Sequence, residues 1–258
     1  MSDIEKITNN KADLLLQISS MLMVSGANTN RILLIINKFT KQLHTDAQVF
    51  INHKAFIISL TDKASGNITT HVKRLPPHTV NFNTISALSR ISVQAELEDW
   101  DYDIIKLRVE EIEKAGHHPR ILTLIAVSFA GAGLAILFNG GYYSFLAVFI
   151  GTFLGLFVKQ ELHKKEFNAY ILTFAGTLTS SFVAASIISL FPEVDPNVAI
   201  ATSVLFSIPG VPLINSFTDF MDGYFISGLV RFMHGLLFVI AIAAALFVIM
   251  YLFNIQHI

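Results

Sequence analysis

Two prolines three residues apart interrupt an apolar stretch, in Ser207-Ile208-Pro209-Gly210-Val211-Pro212-Leu213-Ile214-Asn215. Each proline removes a backbone donor and disfavours helix at the residue before it. Gly210 adds conformational freedom. In lipid a freed carbonyl must find another partner, so such a break is tolerated only inside protein or against water. Secondary transporters use broken helices to hold ions and anionic groups. The plainer alternative is a proline kink near the end of a span. The next residues are Asn215-Ser216-Phe217-Thr218-Asp219-Phe220-Met221-Asp222-Gly223. On a helix Asn215, Asp219 and Asp222 share one face, because spacings of four and three make about one turn. Arg231 then lies just inside the last apolar run. Charges within a span are rare and usually face a cavity or a partner. A carboxylate that alternates between its protonated and charged forms can carry a proton. An arginine offers a planar fork to a substrate carboxylate. Against this, Asp222 could be a solvated loop acid, and Arg231 could snorkel to the headgroups.

Other polar groups are less specific. Thr173, Thr177, Thr179, Ser180 and Ser181 share an apolar segment with Gly176, and Gly151-x-x-x-Gly155 fits a small-residue packing motif. Both read first as close helix contacts and second as a hydrophilic path. Asp99, Asp101, Asp103 and Glu110 stand at positions 1, 3, 5 and 12 of a calcium loop, but position 6 is Ile104 where glycine is needed. They read as the start of a helix, where acids suit the dipole. His117-His118 lacks a carboxylate or cysteine partner nearby and reads as a linker. Ser25 to Arg31 is a glycine-containing loop opening a helix, whose N–H groups could hold an anion. Without a Walker lysine or a second glycine it reads as a helix–helix corner. No bound metal and no cofactor are expected.

The elements that must position these groups follow from the uneven distribution of charge. The chain has 258 residues, no cysteine, a net charge of -1 and 14% charged residues, with a mean hydropathy of +0.57. The absence of cysteine excludes disulfides, thiolate catalysis and cysteine-bound metal centres. The near-zero balance gives no electrostatic footprint for nucleic acid. Residues 1–120 hold 14 of the 18 Lys+Arg and 13 of the 19 Asp+Glu, so residues 121–258 are almost uncharged. Five apolar segments follow at about 121–138, 142–158, 169–191, 197–214 and 229–253. Each is near the 17–25 residues a helix needs to cross roughly 30 Å of hydrocarbon. The expected fold is an α-helical polytopic membrane protein with five transmembrane helices and an N-terminal cytoplasmic α/β domain. The expected domains are 1–118 and 119–258.

Orientation comes from the basic residues. Lys159, Lys164 and Lys165 mark one link, while Asn139-Gly140-Gly141, the link 192–196 and the tail 254–258 carry no Lys or Arg. The alternation places the N-terminus in the cytoplasm and the C-terminus outside. Leu14–Val24 resembles the core of a signal peptide, but Asp3, Glu5 and Asp13 spoil the basic region and Gln17, Ser19 and Ser20 break the core. The same residues make an amphipathic helix over 13–25, with Leu15, Ile18, Leu22 and Ser25 on one stripe.

The rest of the first half predicts a second helix capped by Asn28. Strands follow at 49–52, 55–60 and 68–75, with a hairpin turn at 62–67. Helices then run through Ile85, Leu88, Ile91 and Ala95, and through Ile105, Val109 and Ile112.

Ser25-Gly26-Ala27 and, above all, Pro209-Gly210-Val211-Pro212-Leu213-Ile214-Asn215 through Asp219, Gly223 and Gly228-Leu229-Val230-Arg231 resemble the threonine/serine exporter family. More closely, the chain resembles the large subunit of its split, two-component form. The resemblance implies secondary export of amino acids or small carboxylic acids across the inner (plasma) membrane, driven by the proton gradient. Some members are dicarboxylate (succinate) exporters. Single-chain members carry a second group of spans, so the resemblance also implies a small multi-span membrane subunit as partner, besides protons, lipid and the small-molecule substrate. It carries over Pro209, Gly210, Pro212, Asn215, Asp219 and Arg231 as the substrate and proton pathway, with Gly223 beside them. No catalytic residue is expected. Two other classes stay open, a membrane-anchored enzyme and a regulatory subunit. An enzyme would need a nucleophile, base and oxyanion donor gathered in the first half, and no such set is apparent there.

The topology is testable. Reporter fusions after Gly140, Asp195 and His257 should report the outer face, and one after Lys164 the cytoplasm. A cytoplasmic reading at the C-terminus would remove the five-span arrangement.

Overall fold

A computed structural model describes residues 3–52, 55–62, 66, 68–76, 79–115, 119–191 and 196–255. His117-His118, most of the 192–196 link and several residues of the expected 62–67 turn lie outside them. The elements are α1 (Asp3–Val24), α2 (Thr29–Gln42), β1 (Thr45–Asn52), β2 (Ala55–Asp62), β3 (Ile68–Arg74), α3 (Phe82–Leu97), α4 (Tyr102–Lys114), α5 (Arg120–Leu137), α6 (Tyr142–Lys164), α7 (Ala169–Ile188), α8 (Pro196–Ser203), a 3-10 turn (Leu205–Ser207), α9 (Gly210–Met221) and α10 (Phe225–Leu252). They pack as two compact units. The first joins residues 1–116 to 211–233, and the second joins 117–210 to 234–258. Residues 211–233 therefore pack with the first unit although they follow apolar spans in sequence.

In the first unit β1, β2 and β3 form an antiparallel meander, with Val49 opposite Ile58 and Ile58 opposite His71. Phe56, Ile58 and Leu60 alternate along the central strand and are fully buried, while β3 shows no buried residue. One face of the sheet is thus covered and the other is wet, the usual state of an antiparallel sheet. Leu15, Ile18 and Leu22 of α1, Ile32, Ile36 and Phe39 of α2, Leu88 of α3 and Ile105 of α4 complete this core. Helix α1 starts ten residues before the expected Asp13, because Thr8 and Ala12 are buried and extend its stripe. A small and a polar residue carry no hydrophobic periodicity, so the sequence pattern does not show that turn. Asp101 caps α4 by accepting from the Ile104 N–H at 2.9 Å. This is the helix start expected from the acidic run.

In the second unit, glycines let helices touch. A Cβ on Gly155 would lie 2.5 Å from the Gly176 carbonyl oxygen and 2.6 Å from Ser180 Cβ, and one on Gly151 would lie 2.7 Å from the Ser180 oxygen. The Gly151-x-x-x-Gly155 motif is therefore the seam between α6 and α7. Helices α5, α6, α7 and α10 are long and apolar enough to cross a membrane, or five spans result if the bent pair 196–207 and 210–221 counts as one. The fourth expected span, 197–214, is thus no continuous helix. Its path breaks between Ser203 and Gly210, where Ile208 is extended before Pro209. Pro209 precedes α9 and Pro212 sits in its first turn, where a missing N–H costs nothing. The carbonyl of Ser203, at the end of α8, accepts from Thr152 Oγ1 at 3.1 Å and Ser180 Oγ at 2.6 Å. The break frees a carbonyl, and two hydroxyls from neighbouring helices satisfy it.

Gly155→Ala should force α6 from α7, since backbone atoms block the methyl. We expect an overpacking cost of about 1–3 kcal/mol, or a melting point lower by roughly 5 °C in detergent. Gly133→Ala, with nothing within 4 Å of its Cβ position, should leave the melting point unchanged. Equal melting points for the two variants would contradict this seam.

Candidate functional site

Two helix ends build the site. Helix α1 closes with Gly26 at φ +90. The Ala27 N–H reaches the Leu22 carbonyl at 3.0 Å and the Gly26 N–H reaches that of Met23 at 3.1 Å. Helix α9 ends the same way, with Gly223 at φ +86, Tyr224 N–H on the Asp219 carbonyl at 2.7 Å and Gly223 N–H on that of Phe220 at 3.1 Å. Both are Schellman closures, which need a left-handed residue and so favour glycine. The second turns the chain so that α9 and the start of α10 lie side by side. Gly228 allows this, since a Cβ there would come within 2.9 Å of the Ser216 oxygen.

The carboxylate of Asp219, fully buried, points at the start of α2. Its Oδ1 accepts from the Thr29 N–H at 2.9 Å and its Oδ2 from the Thr29 hydroxyl at 3.0 Å. Thr29 is the first residue of α2, so Asp219 occupies the anion-holding end of that helix. Asn28 caps the same end by accepting from Arg31 N–H at 2.9 Å. Arg231, 8% exposed, also meets Asp219, with Nε 3.1 Å from Oδ2. Nη1 donates to the Ala27 carbonyl at 3.1 Å and Nη2 lies 3.3 Å from Met23 Sδ. The Nε–H is not aligned on the carboxylate and makes no hydrogen bond among the described residues. One turn earlier on α9, Asn215 Nδ2 donates to the Gly26 carbonyl at 2.7 Å.

A cavity of about 410 Å³ opens beside this network, lined by Thr29, Val49, Phe50, Tyr224, Ser227 and Arg231 among others. Its size is that of a small-molecule site, mostly apolar with few polar groups. Among the described residues Arg231 is the only charged group on its wall. The site can therefore take an anion at the guanidinium, against a hydroxyl and a hydrophobic flank.

The structure brings Asn215, Asp219 and Arg231 into one network. Pro209, Gly210 and Pro212 stand apart from it, at the start of α9, where they set where that helix begins. Asp222 is exposed and stays outside. Thr29, Ala27 and Met23 are residues that spacing along the apolar half could not reveal. The available clue was the opening of a helix at Asn28-Thr29, a place that holds an anion.

A family model described as "Putative threonine/serine exporter" (ThrE) matches residues 13–253. The match takes in all of the network, and the chain belongs to this family. A Klebsiella aerogenes protein named "Probable succinate transporter subunit YjjP" is 29% identical over 178 residues, 67% of this chain and 67% of its own. The protein of that name from Escherichia coli K12 is 27% identical over 178 residues, 67% of this chain and 68% of its own. A Corynebacterium glutamicum protein named "Threonine/serine exporter" is 24% identical over 183 residues, 69% of this chain but 37% of its own length. No solved structure matches. Family and apolar helices together make this a multi-pass membrane protein of an exporter family.

Removing one member of a buried pair leaves a bare charge, at about 3–5 kcal/mol. Asp219→Ala should therefore lower stability in detergent by that order, and Arg231→Met combined with it should recover part of the loss. Asp222→Ala, on the surface, should stay within about 0.5 kcal/mol of wild type. A loss for Asp219→Ala no larger than for Asp222→Ala would show that the pair does not hold this corner.

Proposed function

We propose that the chain is a subunit of a proton-driven secondary exporter of small amino acids or small carboxylic acids. The observation that carries this reading is the buried Asp219–Arg231 pair, whose arginine lines a cavity of about 410 Å³, in a member of an exporter family. A substrate carboxylate competes with Asp219 for the guanidinium. Arg231 lines the cavity, so its guanidinium is the group such a ligand can engage. A carboxylate that loses its cation in a buried site favours the neutral acid. In this reading Asp219 is the group that couples exchange at Arg231 to protons. Thr29, whose N–H and hydroxyl both meet Asp219, holds the acid in place during the exchange.

In this reading the protein sits in the inner (plasma) membrane with its N-terminal α/β domain, residues 1–118, in the cytoplasm and its C-terminus outside, and residues 119–258 form the membrane domain. The alternation of basic links supports that orientation. It works with a second membrane subunit, for which the word "subunit" in the names of two relatives is the support. The role is transport, without catalysis. Those two relatives also favour a second reading of the substrate, a dicarboxylate such as succinate, because they cover two thirds of both chains.

Proteoliposomes with and without the partner, assayed with labelled threonine, serine and succinate, separate the substrates. Asp219→Asn should abolish export driven by a pH gradient while inserting normally. Arg231→Lys should fail as well, since an ammonium lacks the two-pronged fork. Wild-type rates in both variants would move the pathway away from this pair.

A further inference from the structure

We propose that the second unit carries its own carboxylate-binding subsite, with Lys159 as its cation and the hydroxyls of Thr173, Thr177 and Ser207 as its donors. Lys159 lies within α6, five residues before its last residue. Its stem crosses α7 at Gly176, where a Cβ would sit 3.1 Å from Lys159 Cβ and 3.6 Å from Cδ. Its Nζ ends 5.7 Å from the centre of the Phe206 ring, in the 3-10 turn after α8. The charges at the end of α6 pair elsewhere: Glu161 meets Arg120 at 2.7 Å and Lys164 at 3.0 Å. Among the described residues no carboxylate lies within ion-pair distance of Lys159. A snorkelling lysine would join that charged end. This one turns onto a glycine and an aromatic face, and an aromatic face offsets only part of a cation's charge.

The hydroxyls are a separate observation. Thr173, Thr177 and Ser207 are buried, and none has a hydrogen-bond partner among the described residues. Their neighbours do: Thr179 donates to the Ala175 carbonyl, Ser181 to that of Thr177, and Ser180 to that of Ser203. A helical threonine or serine normally bonds back to the preceding turn, and an orphan in an apolar span is costly. Thr173 and Thr177 stand one helical turn apart and flank Gly176, the residue the lysine stem crosses. Ser207 follows Phe206, the ring that its ammonium faces. A cation without a counter-ion, and three hydroxyls without a partner, among the described residues, thus stand close in sequence to the two residues, Gly176 and Phe206, that the lysine meets. The group that satisfies both is a small anion with several acceptor oxygens, which in an exporter of this family is the substrate carboxylate. The inference rests on the transport reading above, but on none of the residues assigned there.

Binding of carbon-14 succinate, threonine and serine to the purified full chain in nanodiscs tests it. Lys159→Met should weaken binding of the preferred probe at least tenfold, and Lys159→Arg should retain it within about threefold. Thr177→Val keeps the side-chain shape. It should weaken binding three- to tenfold while leaving the melting point unchanged or higher, because it removes a polar group that the empty protein leaves unpaired. A packing role for Thr177 predicts the opposite, a lower melting point with binding intact, and would overturn the subsite. Saturable wild-type binding that survives Lys159→Met unchanged would overturn the subsite alone and leave the Arg231 site standing. No saturable binding of any probe by the wild type would overturn both.

Discussion

A carboxylate sealed from water cannot stand alone, and the first unit is arranged around that requirement at Asp219. Its two oxygens take an amide, a hydroxyl and a guanidinium contact. Supplying them dictates much else. An amide is available because Thr29 begins a helix, where N–H groups have no partner within the helix. Helix α2 can begin there because Gly26 ends α1 in the left-handed region. The guanidinium arrives because Gly223 closes α9 the same way and Gly228 lets the two helices touch. Three glycines with no chemistry of their own thereby place the two charges that have it.

The second unit obeys the same rule with weaker means. Where α8 stops, the Ser203 carbonyl is satisfied by Thr152 and Ser180, so the helix break is stabilised by hydroxyls from α6 and α7. A few residues on, the rule is left unmet among the described residues at Ser207, and across α7 at Thr173 and Thr177. The contrast within one helix, between Ser180 and Thr177, separates polar groups that hold the fold from polar groups the fold leaves unanswered.

The sequence carried most of the architecture in patterns with short periods. The stripe of Leu15, Ile18 and Leu22, the alternation of Phe56, Ile58 and Leu60, and the charge-poor second half each predicted elements that the structure contains. It lost definition where polar or small residues do the work of apolar ones, as at Thr8 and Ala12, and where a span is broken, as between Ser203 and Gly210. Asn215, Asp219 and Arg231 were legible because charge and proline are rare in an apolar run. Their partners were not. Thr29 and Ala27 are ordinary residues of a helix corner, and no local pattern connects positions so far apart in the chain. The sequence suggests a task for each of Arg231 and Asp219, and the structure makes them one ion pair.

The separation between Thr29 and Asp219 is 190 residues, and this has a consequence for biosynthesis. At roughly 5–20 residues per second the ribosome needs about 10–40 s to travel from one to the other. Once α4 has been made, the nascent first unit has the residues of its sheet and most of its core, but the corner at Gly26–Thr29 lacks the acid, the amide and the guanidinium that complete it. Its first helical N–H stays hydrated, and its exposed carbonyls wait for side chains not yet made. The unit that comes first in the gene is therefore closed nearly last, after the long apolar helices α5, α6 and α7 have been synthesised. A chain cut between the two halves is not a finished domain but an assembly intermediate, holding open the place that residues 211–233 will fill.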